Sequence, residues 1–200
     1  MLFRSDIGFG HNLIIGGFGD DDITVSGGSA LMAGGNVEIT FDAIGAISEV
    51  LTVDTVATSG NNRLSMGDGF AQLIGGLGDD EITAGEGEHH ILADGGSLSY
   101  VDGVLVGASS SGTGLGGNDT VALGDGDNVV IGGAGMDVIT AGRGFDVVLG
   151  DEDEVAWDAT GVLIHVRSTV TEDGDDDVIN LGEGGSVVIG GLGNEDRKST

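Results

Sequence analysis

Cysteine and proline are absent from the chain, and aromatic side chains are scarce, with six Phe, Trp157 and Tyr100 among 200 residues. So few large side chains, beside 42 Gly, cannot fill an ordinary close-packed globular core, and something other than a large core must order the chain. Basic residues are scarce too: six Lys and Arg stand against 34 Asp and Glu, a formal charge of −28. That balance argues against nucleic acid and anionic membrane as partners, and a compact state so charged repels itself unless cations bind. No apolar run approaches the roughly 20 residues of a membrane helix. Residues 1–6 turn acidic too early for a secretory signal, so any export address is expected elsewhere. The missing Cys agrees with an exported bacterial protein that is stapled by metal, although cytosolic proteins also lack Cys.

What the chain has instead is short-range order. Disorder is the alternative for so acidic a chain, but 39% of residues are apolar and recur as clusters at fixed spacing, such as Val129-Val130-Ile131, Val147-Val148-Leu149 and Val187-Val188-Ile189. One block occurs four times: Gly16-Gly17-Phe18-Gly19-Asp20-Asp21, Gly75-Gly76-Leu77-Gly78-Asp79-Asp80, Gly132-Gly133-Ala134-Gly135-Met136-Asp137 and Gly190-Gly191-Leu192-Gly193-Asn194-Glu195. The starts lie 59, 57 and 58 residues apart. A period so regular signals a repeat architecture in which each unit buries its apolar face by stacking on its neighbours.

Within each long repeat runs a nonapeptide, clearest at GLGGNDTVA (114–122), LGDGDNVVI (123–131), GGAGMDVIT (132–140) and AGRGFDVVL (141–149). Blocks of nonapeptides span 7–33, 57–92, 114–149 and 172–194 of one repeat domain, separated by inserts at 34–56, 93–113 and 150–171. Glycine holds position four nearly throughout. Position eight is apolar, as at Ile14, Ile23, Met32, Leu64, Leu73, Ile82, Ile91, Val121, Val130, Ile139, Val148, Ile179 and Val188.

A period of nine fits no helix. Six polar, glycine-rich residues make a turn that uses positive φ, and three residues make a short strand with one inward apolar side chain. Two nonapeptides then complete one turn of an all-β fold, a right-handed parallel β-roll with two facing sheets. The inserts read as β-hairpins, most clearly 155–166 around Asp158-Ala159-Thr160-Gly161, with 41–45 and 100–103 in equivalent places. A hairpin at every repeat gives a rod with regular projections, either lateral contact points or tolerated loops.

The pattern G-G-x-G-x-D-x-U-x, matched at every specified position by 132–140, resembles the RTX or hemolysin-type calcium-binding repeat family. Within that family the chain is most similar to the long exported repeat proteins of Gram-negative bacteria. The resemblance implies a β-roll with Ca²⁺ in its turns, folding outside the cell and type I secretion.

Alternate nonapeptides share an edge of such a roll. If each insert returns without a change of phase, position six on one edge is Asp21, Asn62, Asp80, Asp119, Asp137, Asp177 and Glu195. The opposite edge carries Asn12, Ala30, Ala71, His89, Asn128, Asp146 and Ser186. Carboxylate and carbonyl oxygens suit calcium, which is expected mainly on the first edge. Backbone carbonyls of Gly17, Gly19, Gly76, Gly78, Gly117, Gly133, Gly135 and Gly144 complete the sites, and Asn128 with Asp146 is the best candidate on the opposite edge.

Other chemistry finds little support. Only four His are present, and the adjacent His89 and His90 read as a solvated pair on a turn rather than as zinc ligands. No phosphate loop occurs. Ser109, Ser110 and Ser111 lack a nucleophile elbow and read as a flexible loop. Paired carboxylates are expected by chance among 34 acids.

With no catalytic constellation left, the chain is expected to be no enzyme. It reads as a calcium-dependent extracellular or cell-surface spacer of a larger adhesin, surface-layer or filament protein. The alternative is the secretion and folding module of an exported protease or lipase. Self-association, or a surface partner held through the inserts, stays open.

Overall fold

In the computed structural model, which describes residues 4–55, 60–110, 115–169, 175–193 and 196–199, all regular structure among the described residues is β-strand. The nonapeptide strands pair in parallel. One row runs from Glu81–Ala84 through Thr120–Leu123 and Val138–Ala141 to Val178–Leu181. The other runs from His89–Leu92 through Val129–Ile131 and Asp146–Leu149 to Ser186–Ile189. Two longer strands, Asp22–Ala33 and Arg63–Ile74, pass through both rows, so that 13 strands make one curled sheet.

The register has a simple arithmetic. Within a block, residues that meet across neighbouring turns lie 18 apart, as Asn62 and Asp80 or Asp119 and Asp137 do. Across an insert they lie 41, 39 or 40 apart. The excess over 18 is the length of segments 34–56, 93–113 and 150–171 in turn. Each insert therefore returns the chain to the phase at which it left.

The period of nine places position eight inside. Ile23, Met32, Leu64, Leu73, Ile82, Val121, Val130, Ile139 and Val148 are all 0% exposed and form one core cluster. Each such side chain contributes about 1.5–3 kcal/mol of burial, but the core is thin, one or two residues from each strand, as with Val121 and Leu123. Glycine at position four lets the turns stack at strand spacing: Gly126 has φ of 144°, and a Cβ there would lie 1.8 Å from the carbonyl oxygen of Gly87 in the neighbouring turn.

The two rows differ on their outer faces. Side chains alternate along a strand, and the outer positions of the first row are largely polar, Glu81, Thr83, Thr120 and Thr140 among them. In the second row Leu92, Val129, Ile131, Val147 and Leu149 are buried although they lie outside the first core. The inserts cover them.

Val37–Phe41 pairs antiparallel with Ile47–Thr52, Gly96–Val101 with Val104–Ser110, and Asp153–Trp157 with Leu163–Ser168. These pairs join across inserts, 47–52 to 96–101 and 104–110 to 153–157, as a six-stranded sheet. Asp102 and Gly103, with φ of 52° and 80°, make the tight connection whose twist matches its flanking strands. Val50, Leu98, Leu105, Ala108, Val155 and Trp157 of this sheet pack onto the second row in a second core.

Three expectations are corrected here. The inserts are a covering layer rather than projections, because the apolar outer face of the second row and the apolar face of the inserts bury each other. Ser109 and Ser110 lie in a strand, where Ser110 Oγ accepts the Asp153 N–H at 2.7 Å, and Ser111 lies outside the described residues. His89 and His90 are buried, at 0% and 9% exposure, because they belong to the strand His89–Leu92. Strand alternation sends His89 toward the Gly85 carbonyl and His90 against Trp157, so the two do not converge on one metal.

Candidate metal centre

Position six closes each turn just before its strand, which buries the side chain between turns. Along one edge Asp21, Asn62, Asp80, Asp119, Asp137 and Asp177 stand one after another, none more than 3% exposed. The backbone N–H of each donates to Oδ1 of the next. The distances are 3.0 Å from Asp21 to Asn62, 2.6 Å from Asn62 to Asp80, 2.7 Å from Asp80 to Asp119, and 2.8 Å both from Asp119 to Asp137 and from Asp137 to Asp177. Glu195, expected to end this row, lies outside the described residues.

The second carboxylate oxygen decides what the row can do. Oδ2 of Asp80, of Asp119 and of Asp137 is buried with no hydrogen-bond partner, an arrangement that is costly in a protein interior unless a cation or proton meets it. Glycine leaves the room beside it: a Cβ on Gly75 or on Gly132 would lie 2.4 Å from Oδ2 of Asp80 or of Asp137. Burial pushes the Asp80 carboxyl up to about 8 and that of Asp137 to about 9, outweighing the N–H bonds that act the other way. Asp119 is raised by burial and then by the charges of Asp94, Asp80 and Asp137. Without a cation, these carboxyls hold protons well above the usual carboxylate range.

A second ladder flanks the first at position five. Asn61 N–H donates to Asp20, Asp79 N–H to Asn61, Asn118 N–H to Asp79 and Met136 N–H to Asn118, at 2.8–3.2 Å. A depression of about 390 Å³ is lined by both ladders, with Asn61, Asn62, Asp79, Asp80 and Asn118 in its wall. On the same edge Gly17, Gly19, Gly76, Gly78, Gly133 and Gly135 all have positive φ, from 89° at Gly19 to 119° at Gly78. Gly117 also lies there, whereas Gly144 lies on the opposite edge.

The opposite edge stacks Asn12, Ala30, Ala71, His89, Asn128, Asp146 and Ser186 in that order. Ala30 and Ala71 join the apolar core there. Asp146 Oδ1 accepts both the N–H of Asn128 at 3.2 Å and its Nδ2 at 3.0 Å. Burial raises the Asp146 carboxyl as well. No three His, Asp or Glu gather round one point among the described residues; the acids are strung along an axis.

Sequence reasoning passed over aspartates at the bases of the inserts. Asp94, 2% exposed, accepts the Gly117 N–H at 3.1 Å across its insert and the Ala134 N–H at 2.7 Å in the next turn. Asp151 accepts the backbone of Asp175 across its own insert and the Leu192 N–H at 2.6 Å. Asp54 accepts the Asn36 N–H at 3.0 Å. Each carboxylate clips a turn closed where an insert leaves it. A signal for two of them was present: uninterrupted turns on this edge begin Gly-Gly, as does the first turn with an insert at Gly34-Gly35, while the other two turns with inserts begin Ala93-Asp94 and Gly150-Asp151.

The family model of the RTX calcium-binding nonapeptide repeat matches the chain in four copies, at residues 8–30, 56–88, 66–97 and 113–148, together half of its length. The chain belongs to this family, and its nonapeptide repeats bind calcium. No curated protein and no solved structure matches it.

Proposed function

We propose that the chain is one stretch of an extracellular, calcium-rigidified spacer in a larger adhesin, surface-layer or filament protein. The observation that carries this reading is the unbroken acidic row, with the buried and unbonded Oδ2 of Asp80, Asp119 and Asp137 in successive turns. Calcium supplies two positive charges and a flexible shell of about six to eight oxygens. Asp80, Asp119 and Asp137 present carboxylates from neighbouring turns, with Asp21, Asn62 and Asp177 extending the row. Carbonyls of Gly17, Gly19, Gly76, Gly78, Gly117, Gly133 and Gly135 complete the sites, and Asn128, Asp146 and Gly144 form a lesser one opposite. Because the acids are strung out, each ion takes carboxylates from two adjacent turns and ties those turns together.

The nonapeptides wind as a right-handed roll with two units per turn, and the inserts are its hairpins. Repetition in constant phase supports the spacer over an enzyme module: each repeat of 57–59 residues adds strands to both sheets without altering either. Sites built from one or two carboxylates and backbone carbonyls suit the weak range of extracellular modules, about 0.1–1 mM. Anomalous scattering from crystals grown in calcium is the test. Ions spaced along the acidic edge are expected; equal occupancy of both edges, or ions gathered in the inserts, would refute the assignment.

A further inference from the structure

The chain spends its rarest side chains in one place. Trp157 and Tyr100, each present once in the sequence, meet Phe70 and His90 around a cavity of about 290 Å³ on the covered face of the roll, remote in kind from the acidic row. Gln72 and Glu88 complete the polar part of its wall. The volume lies at the lower end of the range for small-molecule pockets. Phe70 meets the His90 ring edge-on at 5.5 Å, and His90 lies tilted against Trp157 at 5.1 Å. The Tyr100 hydroxyl donates to Gln72 Oε1 at 2.7 Å.

The polar atoms of this wall favour one kind of ligand. His90 Nε2 lies 3.3 Å from Glu88 Oε1, and His90 holds the Glu88 carboxyl below its ordinary range. The rest of the His90 ring is closed off, its Nδ1 buried in a side chain only 9% exposed. No Lys or Arg lines the cavity, which disfavours an anion. Trp157 is 8% exposed and covered by His90, which leaves no broad ring face for a sugar to stack on. What remains is the rings of Tyr100 and Phe70 and the Glu88 carboxylate, the surroundings that attract a small organic cation.

We propose that this cavity binds an alkylated ammonium group, held by cation–π contact with Tyr100 and Phe70 and by the carboxylate of Glu88. Two sources share that chemistry, a free quaternary ammonium compound and the lysine side chain of another protein. Trp157, as the one tryptophan, reports on the site by its fluorescence.

The experiment titrates folded protein at constant calcium with tetramethylammonium, with N-acetyl-lysine methylamide, and with tert-butanol as the uncharged counterpart. Saturable change with tetramethylammonium about tenfold tighter than with tert-butanol is expected, consistent with a partly desolvated cation–π contact. A response to the lysine probe alone assigns the site to a protein partner and supports the same chemistry. Glu88→Gln and Phe70→Leu should each weaken binding, while Glu38→Gln, at an exposed acid in the insert 34–56 that does not line the cavity, should not. Circular dichroism of each variant confirms its fold, and if one variant fails to fold the other carries the comparison. Equal affinity for tert-butanol, no saturable response to either cation, or equal loss in Glu38→Gln would overturn the proposal.

Discussion

The two edges of the roll are made from one nonapeptide, yet they are stabilised by different physics. On the acidic edge, position six is a buried carboxylate or amide at every described turn from Asp21 to Asp177, and glycines at positions two and four open the backbone beside Asp21, Asp80 and Asp137. On the opposite edge Ala30 and Ala71 close the turns as small core residues, and Asp146 Oδ1 accepts from both the N–H and the Nδ2 of Asn128, whose own Oδ1 has no donor. The acidic edge therefore leaves carboxylate oxygens of Asp80, Asp119 and Asp137 without donors in successive turns, whereas the opposite edge leaves only scattered atoms such as Asn128 Oδ1. A single period can thus carry a seam of unmet carboxylate oxygens and a largely apolar or self-paired seam side by side, because consecutive units never share an edge.

Removing calcium should have the largest effect. In EDTA at neutral pH the acidic edge is expected to come apart and the far-ultraviolet circular dichroism of the sheet to be lost, since the core is too thin to offset the repulsion. The pH dependence has a definite sign. Asp80 and Asp137 titrate at about 8 and about 9 in the metal-free fold, against 3.8 unfolded. Folded chains then bind more protons than unfolded ones between those values, so stability falls as pH rises through that window. Metal-free protein should be most ordered near pH 4 and lose structure on the way to pH 9, while calcium affinity rises with pH. A full β-spectrum in EDTA at pH 8 would remove the distinction between the edges.

Moving an acid to the wrong edge comes next. Ala71→Asp buries a carboxylate beside Ala30 and His89 where no row of oxygens meets it, and should cost about 3–5 kcal/mol, as an unpaired buried charge does. Calcium should not rescue it, which thermal unfolding with and without the ion would show.

The corresponding loss from the right edge should be smaller and should depend on calcium. Asp137→Ala is expected to raise the calcium midpoint of folding about tenfold or more, by analogy with the loss of groups that support a metal site. Asp146→Ala should raise it much less. Isothermal titration of the two variants compares them directly, and equal effects would mean that both edges bind alike.

The smallest effect concerns the clips. Asp94→Asn keeps one acceptor and turns an amide N–H₂ toward a backbone N–H of Gly117 or Ala134, which should cost about 1–3 kcal/mol. Hydrogen exchange at those two amides should quicken while the distant Asn128 turn stays protected.

Much of this was legible in the residues. Position eight marked the inner core from Ile14 to Ile179, and the order of the acidic row followed from counting, because an insert that preserves phase only adds its own length to an offset of 18. The covering layer was not read, although a trace of it was visible. Val129 and Ile131 flank Val130 with apolar side chains where Thr120 and Ala122 flank Val121, a sign that one row is buried on both faces. The burial of His89 and His90 was missed for the same reason.

By itself the sequence determined the period and which residues stand at position six, since these depend on local sterics and on the alternation of side chains along a strand; that each insert keeps the phase was decided by the stacking of the turns. Only the tertiary structure decided that strands 47–52, 96–101, 104–110 and 153–157 would join across separate inserts into one sheet. It also decided that Trp157 would come to rest on His90, and that an oxygen of Asp80, Asp119 and Asp137 would be left without a donor. These outcomes turn on distances between turns far apart in the chain, and stacking sets those distances only once every turn is in place.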